Sequence, residues 1–121
     1  MADLGDQINR AKDVIGNLIA KPKMTDKLLS KPPFRFLHDT ISAVISTTGF
    51  GEGLYSDAEL DCASITDKNA KIAYLEKVFL LVGICTGSAL EVKATRVVAG
   101  LEPEHTVAFL IAFGEVANDP R

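Results

Sequence analysis

The stretch DKNAKIAYLEKVFLLVGICT, residues 67–86, is the longest and most apolar segment of the chain with a helical period. Its apolar residues recur at steps of three and four, which predicts an α-helix rather than a strand. The residues predicted to face inward are Ile72, Leu75, Phe79, Val82 and Cys85, with Val78, Leu80 and Leu81 widening the stripe. A helix that is apolar on most sides is usually the central helix of its domain.

Three further long segments show the same period, and no segment alternates as a strand does. They predict helices over about 3–19, from a first turn that includes Pro33 to an end at Gly49, and from Pro103 onward. The predicted buried positions are Leu4, Ile8, Ala11, Ile15 and Leu18, then Phe34, Leu37, Ile41, Val44 and Ile45, then Val107, Leu110, Ile111 and Phe113. The pattern therefore predicts an all-α domain with four main helices.

Short connecting elements are predicted by capping residues. Thr25 caps a turn over 26–29, Ser56 and Glu59 form a capping box, and Leu60 is expected to enter the core. Thr66 is expected to cap the central helix. A brief helix is predicted over 93–99, and the glycines expected to end helices are Gly49, Gly87 and Gly100.

Length and composition exclude several classes of protein. The chain has 121 residues, which fits one domain over 1–121, and the longest apolar run, 78–85, is too short to span a bilayer. The acidic start MADLGD does not resemble a signal peptide. The spacing of Cys62 and Cys85 is typical of reduced thiols, which favours the cytoplasm. Both cysteines are predicted to be small core residues. The chain stops at Arg121 without a structural signal, so we expect a fragment of a longer protein.

Charge is distributed unevenly along the chain, although the net charge is only −3. Residues 10–35 hold seven basic and two acidic side chains, and residues 36–67 hold six acidic and none basic. Residues 68–96 hold five basic and two acidic side chains. Folding can gather these bases into one patch that attracts an acidic partner, although a merely solvated face is equally compatible with the composition. The overall acidity disfavours nucleic acid as the partner.

No set of residues predicts catalysis, a metal site or a cofactor. His38 and His105 lack the spacing of metal ligands, and His38 is expected to be a partly buried structural residue. Gly49, Gly51 and Gly53 follow a helix rather than a strand, so they do not form a phosphate-binding loop. We therefore expect a protein that is not an enzyme.

Several blocks of the sequence resemble a known family of ciliary proteins. The blocks are TDKLLSKPPFRFLHD (25–39), TGF (48–50), GLYSDAE (53–59), DKNAKI (67–72) and RVVAGLEPE (96–104). They resemble the N-terminal domain of the microtubule-interacting, TRAF-interacting subunits of intraflagellar transport complex B, over about 13–111. One departure is Val107, where the family has an asparagine.

The resemblance implies a calponin-homology-like fold, an all-α domain of four main helices plus short connecting helices. It also implies binding of tubulin or microtubules, location at the cytoskeleton and the cilium or its base, and contact with other transport subunits through regions outside this chain. The basic residues expected to bind tubulin are Lys27, Lys31, Arg35, Lys68, Lys71 and Arg96 in the matching blocks, and Lys21, Lys23 and Lys93 outside them.

Two alternatives remain open at this point. The domain could be a scaffold that docks a protein partner through an apolar groove, in which case the structure should expose an apolar patch with a polar rim. Actin binding is suggested by fold analogy alone, which is weak support. Salt-sensitive binding distinguishes the basic patch from the groove.

Overall fold

A computed structural model describes residues 4–19, 24–87 and 90–118, and these residues contain helices and no strand. The four main helices are α1 (Leu4–Gly16), α3 (Phe34–Thr48), α5 (Lys68–Thr86) and α7 (Pro103–Ala117). The short ones are α2 (Asp26–Ser30), α4 (Asp57–Leu60), a 3-10 turn (Cys62–Ser64) and α6 (Ala94–Val98). The all-α prediction with four main helices is confirmed.

Local capping chemistry sets most helix ends where the sequence predicts them. The Thr25 hydroxyl accepts a hydrogen bond from the Leu28 amide at 3.2 Å, and Ser56 and Glu59 form the reciprocal capping box. Gly49 and Gly87 adopt left-handed conformations, with φ of 78° and 73°, and end α3 and α5. Only glycine takes this conformation at little cost.

Three predicted boundaries are wrong by a few residues. The side chain that caps α5 is Asp67, which accepts from the Ala70 amide at 2.6 Å, so Thr66 is not the cap. Pro33 is the N-cap of α3 rather than a residue of its first turn. α1 ends at Gly16 instead of near Ile19. The amides of Leu18 and Ile19 both donate to the Ile15 carbonyl oxygen, which closes the segment with turns.

The core forms around α5 and α7, whereas the apolar pattern predicts only the segment 67–86 as the central helix. Phe79 of α5 meets Phe109 of α7 edge to face, with 4.6 Å between ring centroids. Phe113 stacks on Phe109. The centroid of the Phe113 ring lies 6.0 Å from that of Phe50, which follows α3. Val107 is fully buried, so this position places an aliphatic side chain in the core.

A second aromatic cluster joins α3, the loop before α4 and the first half of α5. Tyr55 stacks on Tyr74 with 4.1 Å between centroids, and His38 stacks on the same Tyr74 at 4.7 Å. The Tyr55 hydroxyl donates to the Tyr74 carbonyl oxygen at 2.7 Å. Burial, reinforced by the neighbouring Tyr74, raises the pKa of Tyr55 far above its ordinary value, so this phenol stays protonated.

Three residues predicted for the core are exposed instead. Leu60 is 45% exposed. Leu80 is 67% exposed and Cys85 is also on the surface, so Cys85 is not a core residue. The side chain of Cys62 lies outside what the structure describes. An apolar helix cannot bury every side when its neighbours cover only some of them.

Candidate functional site

The first turn of α5 carries two of the predicted basic residues toward the start of α3. Lys68 and Lys71 follow the Asp67 cap and lie three residues apart, so they share one side of the helix. The Lys71 ammonium lies 5.7 Å from the centre of the Phe34 ring, which is within the range of a cation–π contact. Since Phe34 is the first residue of α3, this contact places Lys71 beside the helix start that also carries Arg35.

Lys31 reaches from the end of α2 to the turn that follows α6. A Cβ on Gly100 would lie 3.0 Å from Cε of Lys31 and 3.9 Å from its ammonium nitrogen. Gly100 adopts a φ of 75°, and the same turn is closed by the Leu101 amide, which donates to the Arg96 carbonyl oxygen at 2.9 Å. The Lys31 amine is therefore brought next to the segment that carries Arg96, although the two residues are far apart in sequence.

Lys93 lies at the other end of α6, next to α5. It is the N-cap residue of α6 and lines a shallow groove of about 390 Å³ together with Ile72 and Glu76. Ile72 is one turn beyond Lys68 on α5. Folding thus joins the start of α3, the start of α5 and both ends of α6. We use the term basic surface for the residues at this junction, which are Lys31, Arg35, Lys68, Lys71, Lys93 and Arg96.

The remaining three predicted residues are Lys27, which lies away from this junction, and Lys21 and Lys23, whose positions the structure does not describe. Lys27 lines a separate groove of about 430 Å³ between α2 and α1, together with Gly5, Ile8 and Asn9. Lys21 and Lys23 lie outside the described residues. Their participation in the same surface stays a prediction.

The pattern of ion pairs separates these bases from the others in the described part of the chain. Arg10, Lys12 and Lys77 are paired with Glu115, Asp26 and Glu59, respectively. In the basic surface, Arg96 is the residue that pairs, with Nε 3.6 Å from the Glu102 carboxylate. Among residues 4–19, 24–87 and 90–118, six bases have no carboxylate within 4.0 Å, and all six belong to the predicted set: Lys27, Lys31, Arg35, Lys68, Lys71 and Lys93.

Exposure supports the same distinction. Lys27, Lys31, Arg35, Lys68 and Lys93 are exposed, and Lys71 is half-buried against Phe34. Unpaired exposed cations produce a positive potential that extends into solvent, whereas a paired cation is largely neutralised by its carboxylate. The arrangement is suited to attract an anionic surface.

Both histidines contact oxygen atoms of neighbouring residues. His38 is only 2% exposed, and its Nε2 is hydrogen-bonded to the Glu59 carbonyl oxygen at 2.8 Å, so it ties α3 to α4. The sequence predicts a partly buried structural histidine at this position, and the structure buries His38 more deeply than that. His105 lies between the carboxylates of Glu91 and Glu102, at 3.3 and 3.5 Å.

An apolar groove lies next to the basic surface, at a position that the sequence did not predict. The groove has a volume of about 530 Å³ and is bordered by Leu80 and Ile84, which are 67% and 70% exposed. Phe79 and Val92 form part of its walls. The one available signal was that α5 is apolar on nearly all sides, and this signal does not show which side remains uncovered.

No helix in the described part of the chain is long and apolar enough to cross a membrane.

A protein family described as the microtubule-binding protein MIP-T3 CH-like domain matches residues 7–119. The mouse protein TRAF3-interacting protein 1 is 45% identical over 108 residues, which cover 89% of this chain and 17% of the mouse protein. Its zebrafish counterpart is 50% identical over 97 residues, or 80% of this chain and 15% of that protein. The chain thus spans about a sixth of the length of these relatives, and it belongs to the MIP-T3 family as its calponin-homology-like domain.

Proposed function

We propose that this domain is a non-enzymatic module that binds tubulin or microtubules through the basic surface. The observation that carries the proposal is that all six unpaired bases in the described part of the chain belong to the set expected to bind tubulin. The description of the matching family as microtubule-binding supports the same partner. Glutamate-rich tails at the tubulin surface provide carboxylates for these amines.

The strength of binding follows from the exposure of these side chains. An exposed ion pair contributes only about 0–1 kcal/mol, so several pairs must form together. The net charge of −3 also means that the domain must turn its basic surface toward acidic tubulin. We expect weak binding that falls as salt rises, because the Debye length shrinks from about 10 Å at 0.1 M to about 3 Å at 1 M salt.

The wider role is proposed from the resemblance described above. We propose that the domain belongs to a subunit of intraflagellar transport complex B and acts in assembly of the cilium or flagellum. Its location would be the cytoplasm, the cytoskeleton and the ciliary base. Contacts with other subunits of that complex would be made by regions outside this chain.

A charge-reversal experiment tests the basic surface directly. The variant K68E/K93E changes two unpaired bases, and the control R10E/K12E makes the same change in net charge at bases that are already paired. Binding of purified tubulin is measured by size-exclusion co-elution and by fluorescence titration at about 0.1 M salt. We expect at least a tenfold loss for K68E/K93E and little change for the control, and equal binding by both variants would refute the surface.

The apolar groove favours one other function. A scaffold that docks a different protein was predicted to expose an apolar patch with a polar rim, and Leu80 and Ile84 form such a patch beside Lys93 and Glu76. In that case binding of the partner would be insensitive to salt, and K68E/K93E would have no effect on it.

A further inference from the structure

The apolar groove and the basic surface form one continuous face. Phe79 and Val92 line the 530 Å³ apolar groove and also the neighbouring groove, which continues to Ile72 and Lys93. Lys68, one turn before Ile72, borders the polar end of this face without lining either groove, and Ile84 lies at the apolar end. At 1.5 Å of rise per residue, the distance along α5 from Ile72 to Ile84 is about 18 Å.

This length lies within the footprint of a single protein partner. A stable interface covers about 800 Å² on each side, equivalent to a square of roughly 28 Å. A partner seated on Ile72 and Lys93 would therefore be large enough to cover Leu80 and Ile84 as well. Exposed single apolar residues are ordinary, but two aliphatic side chains one turn apart at the border of a groove resemble an interaction site.

Charge at the rim indicates the chemistry of the occupant. At the polar end of this face, Lys68 and Lys93 lack carboxylate partners in the described part of the chain, and Glu76 is the acidic residue of the lining. The end formed by Gly83, Ile84 and Leu90 is apolar. A complementary partner thus carries carboxylates at one end of its contact and aliphatic or aromatic side chains at the other.

We infer that tubulin covers both parts of this face, with the basic surface selecting its carboxylates and the groove receiving apolar side chains next to them. The inference rests on the proposed function and adds a second, salt-independent component to it. Charged groups on a rim mainly accelerate and orient the encounter, whereas apolar side chains that enter a groove slow dissociation. Leu80 and Ile84 are the residues that provide this anchoring.

The test compares the groove variant L80S/I84S with the control L60S/L101S. All four side chains are exposed, at 67%, 70%, 45% and 48%, so serine opens no core cavity at any of these positions. Circular dichroism verifies folding, and the single variant I84S replaces the double variant if that one unfolds. Binding of purified αβ-tubulin is titrated at about 0.1 M and about 1 M salt.

The expected result is a loss of at least tenfold for L80S/I84S at both salt concentrations, with wild-type binding retained by L60S/L101S. K68E/K93E should instead lose affinity at low salt and show a shallower dependence on salt. The inference is overturned if L80S/I84S binds like the wild type at both concentrations, including the case in which it alters only self-association measured by sedimentation. If the wild-type chain does not bind tubulin at all, the proposed function itself fails, and the two failures are thereby distinguished.

Discussion

Gly114 of α7 packs so closely on Val14 of α1 that the two helices leave no room for a side chain at this glycine. A Cβ there would collide with Cγ1 of Val14 and would lie 2.9 Å from Cδ1 of Ile15. Arg10 and Glu115 connect the same two helices at the surface, with 3.3 Å between Nη2 and the carboxylate. The close packing of α1 against α7 therefore depends on glycine, which has no side chain, at position 114.

Replacing Gly114 by alanine is expected to destabilise the domain by about 1–3 kcal/mol, because the added methyl group overpacks a tight helix contact. The measurement is urea unfolding followed by circular dichroism. The matched control is G16A at the end of α1, where an added Cβ meets nothing within 4 Å. Alanine there should be neutral or stabilise by up to about 1 kcal/mol. An unaltered midpoint for G114A would show that the helices can separate at little cost.

Asp67→Ala is expected to cost about 1 kcal/mol, since it removes the side chain that accepts from the Ala70 amide at 2.6 Å. The same variant should weaken tubulin binding, because Asp67 holds the turn that presents Lys68 and Lys71. Thermal unfolding and tubulin titration measure the two effects. T66A serves as the control, as Thr66 is exposed and does not cap α5, and comparable losses for both variants would contradict the assignment.

The capping box before α4 predicts a dependence of stability on pH. A hydrogen bond from Lys77, followed by one from the Ser56 amide, holds the pKa of Glu59 below its ordinary value. A carboxyl group with a lowered pKa in the folded state stabilises the fold above its unfolded pKa. This stabilisation is lost as the pH falls through the folded pKa.

Glu59→Gln is therefore expected to lower the melting temperature at pH 7 and to match the wild type once the pH is below the folded pKa of Glu59. The effect at pH 7 should be at most about 1 kcal/mol, because the pair with Lys77 is partly exposed. Calorimetric melting temperatures between about pH 7 and pH 3 measure it. A difference between the two proteins that stays constant over this range would exclude the ionised Glu59 as its source.

The lysines before α3 provide a separate test of the binding surface. We expect K21E/K23E/K27E to abolish co-elution with tubulin, since exposed pairs contribute little singly and several must act together. Lys27 is exposed and has no carboxylate within 4.0 Å among the described residues. Retention of wild-type binding would exclude this triplet from the tubulin-binding residues and leave those of the basic surface.

Much of the fold could be predicted because its determinants are local. The helical period identified the buried residues Leu37, Ile41 and Val44 on α3, and the capping box at Ser56 and Glu59 was found from two side chains three residues apart. The error at Thr66 arose because Thr66 and Asp67 are adjacent and both are good caps, so the choice depends on the approach of the chain.

Local sequence is sufficient to predict the helix periods, the glycines that end α3 and α5, and the set of bases available to an acidic partner. These features depend on contacts within one turn, between residues three or four positions apart. The tertiary structure alone decided that Lys31 lies against Gly100, that Lys71 lies over Phe34, and that Leu80 and Ile84 remain uncovered. Such contacts depend on how helices that are distant in sequence pack against one another, and no local period encodes that packing.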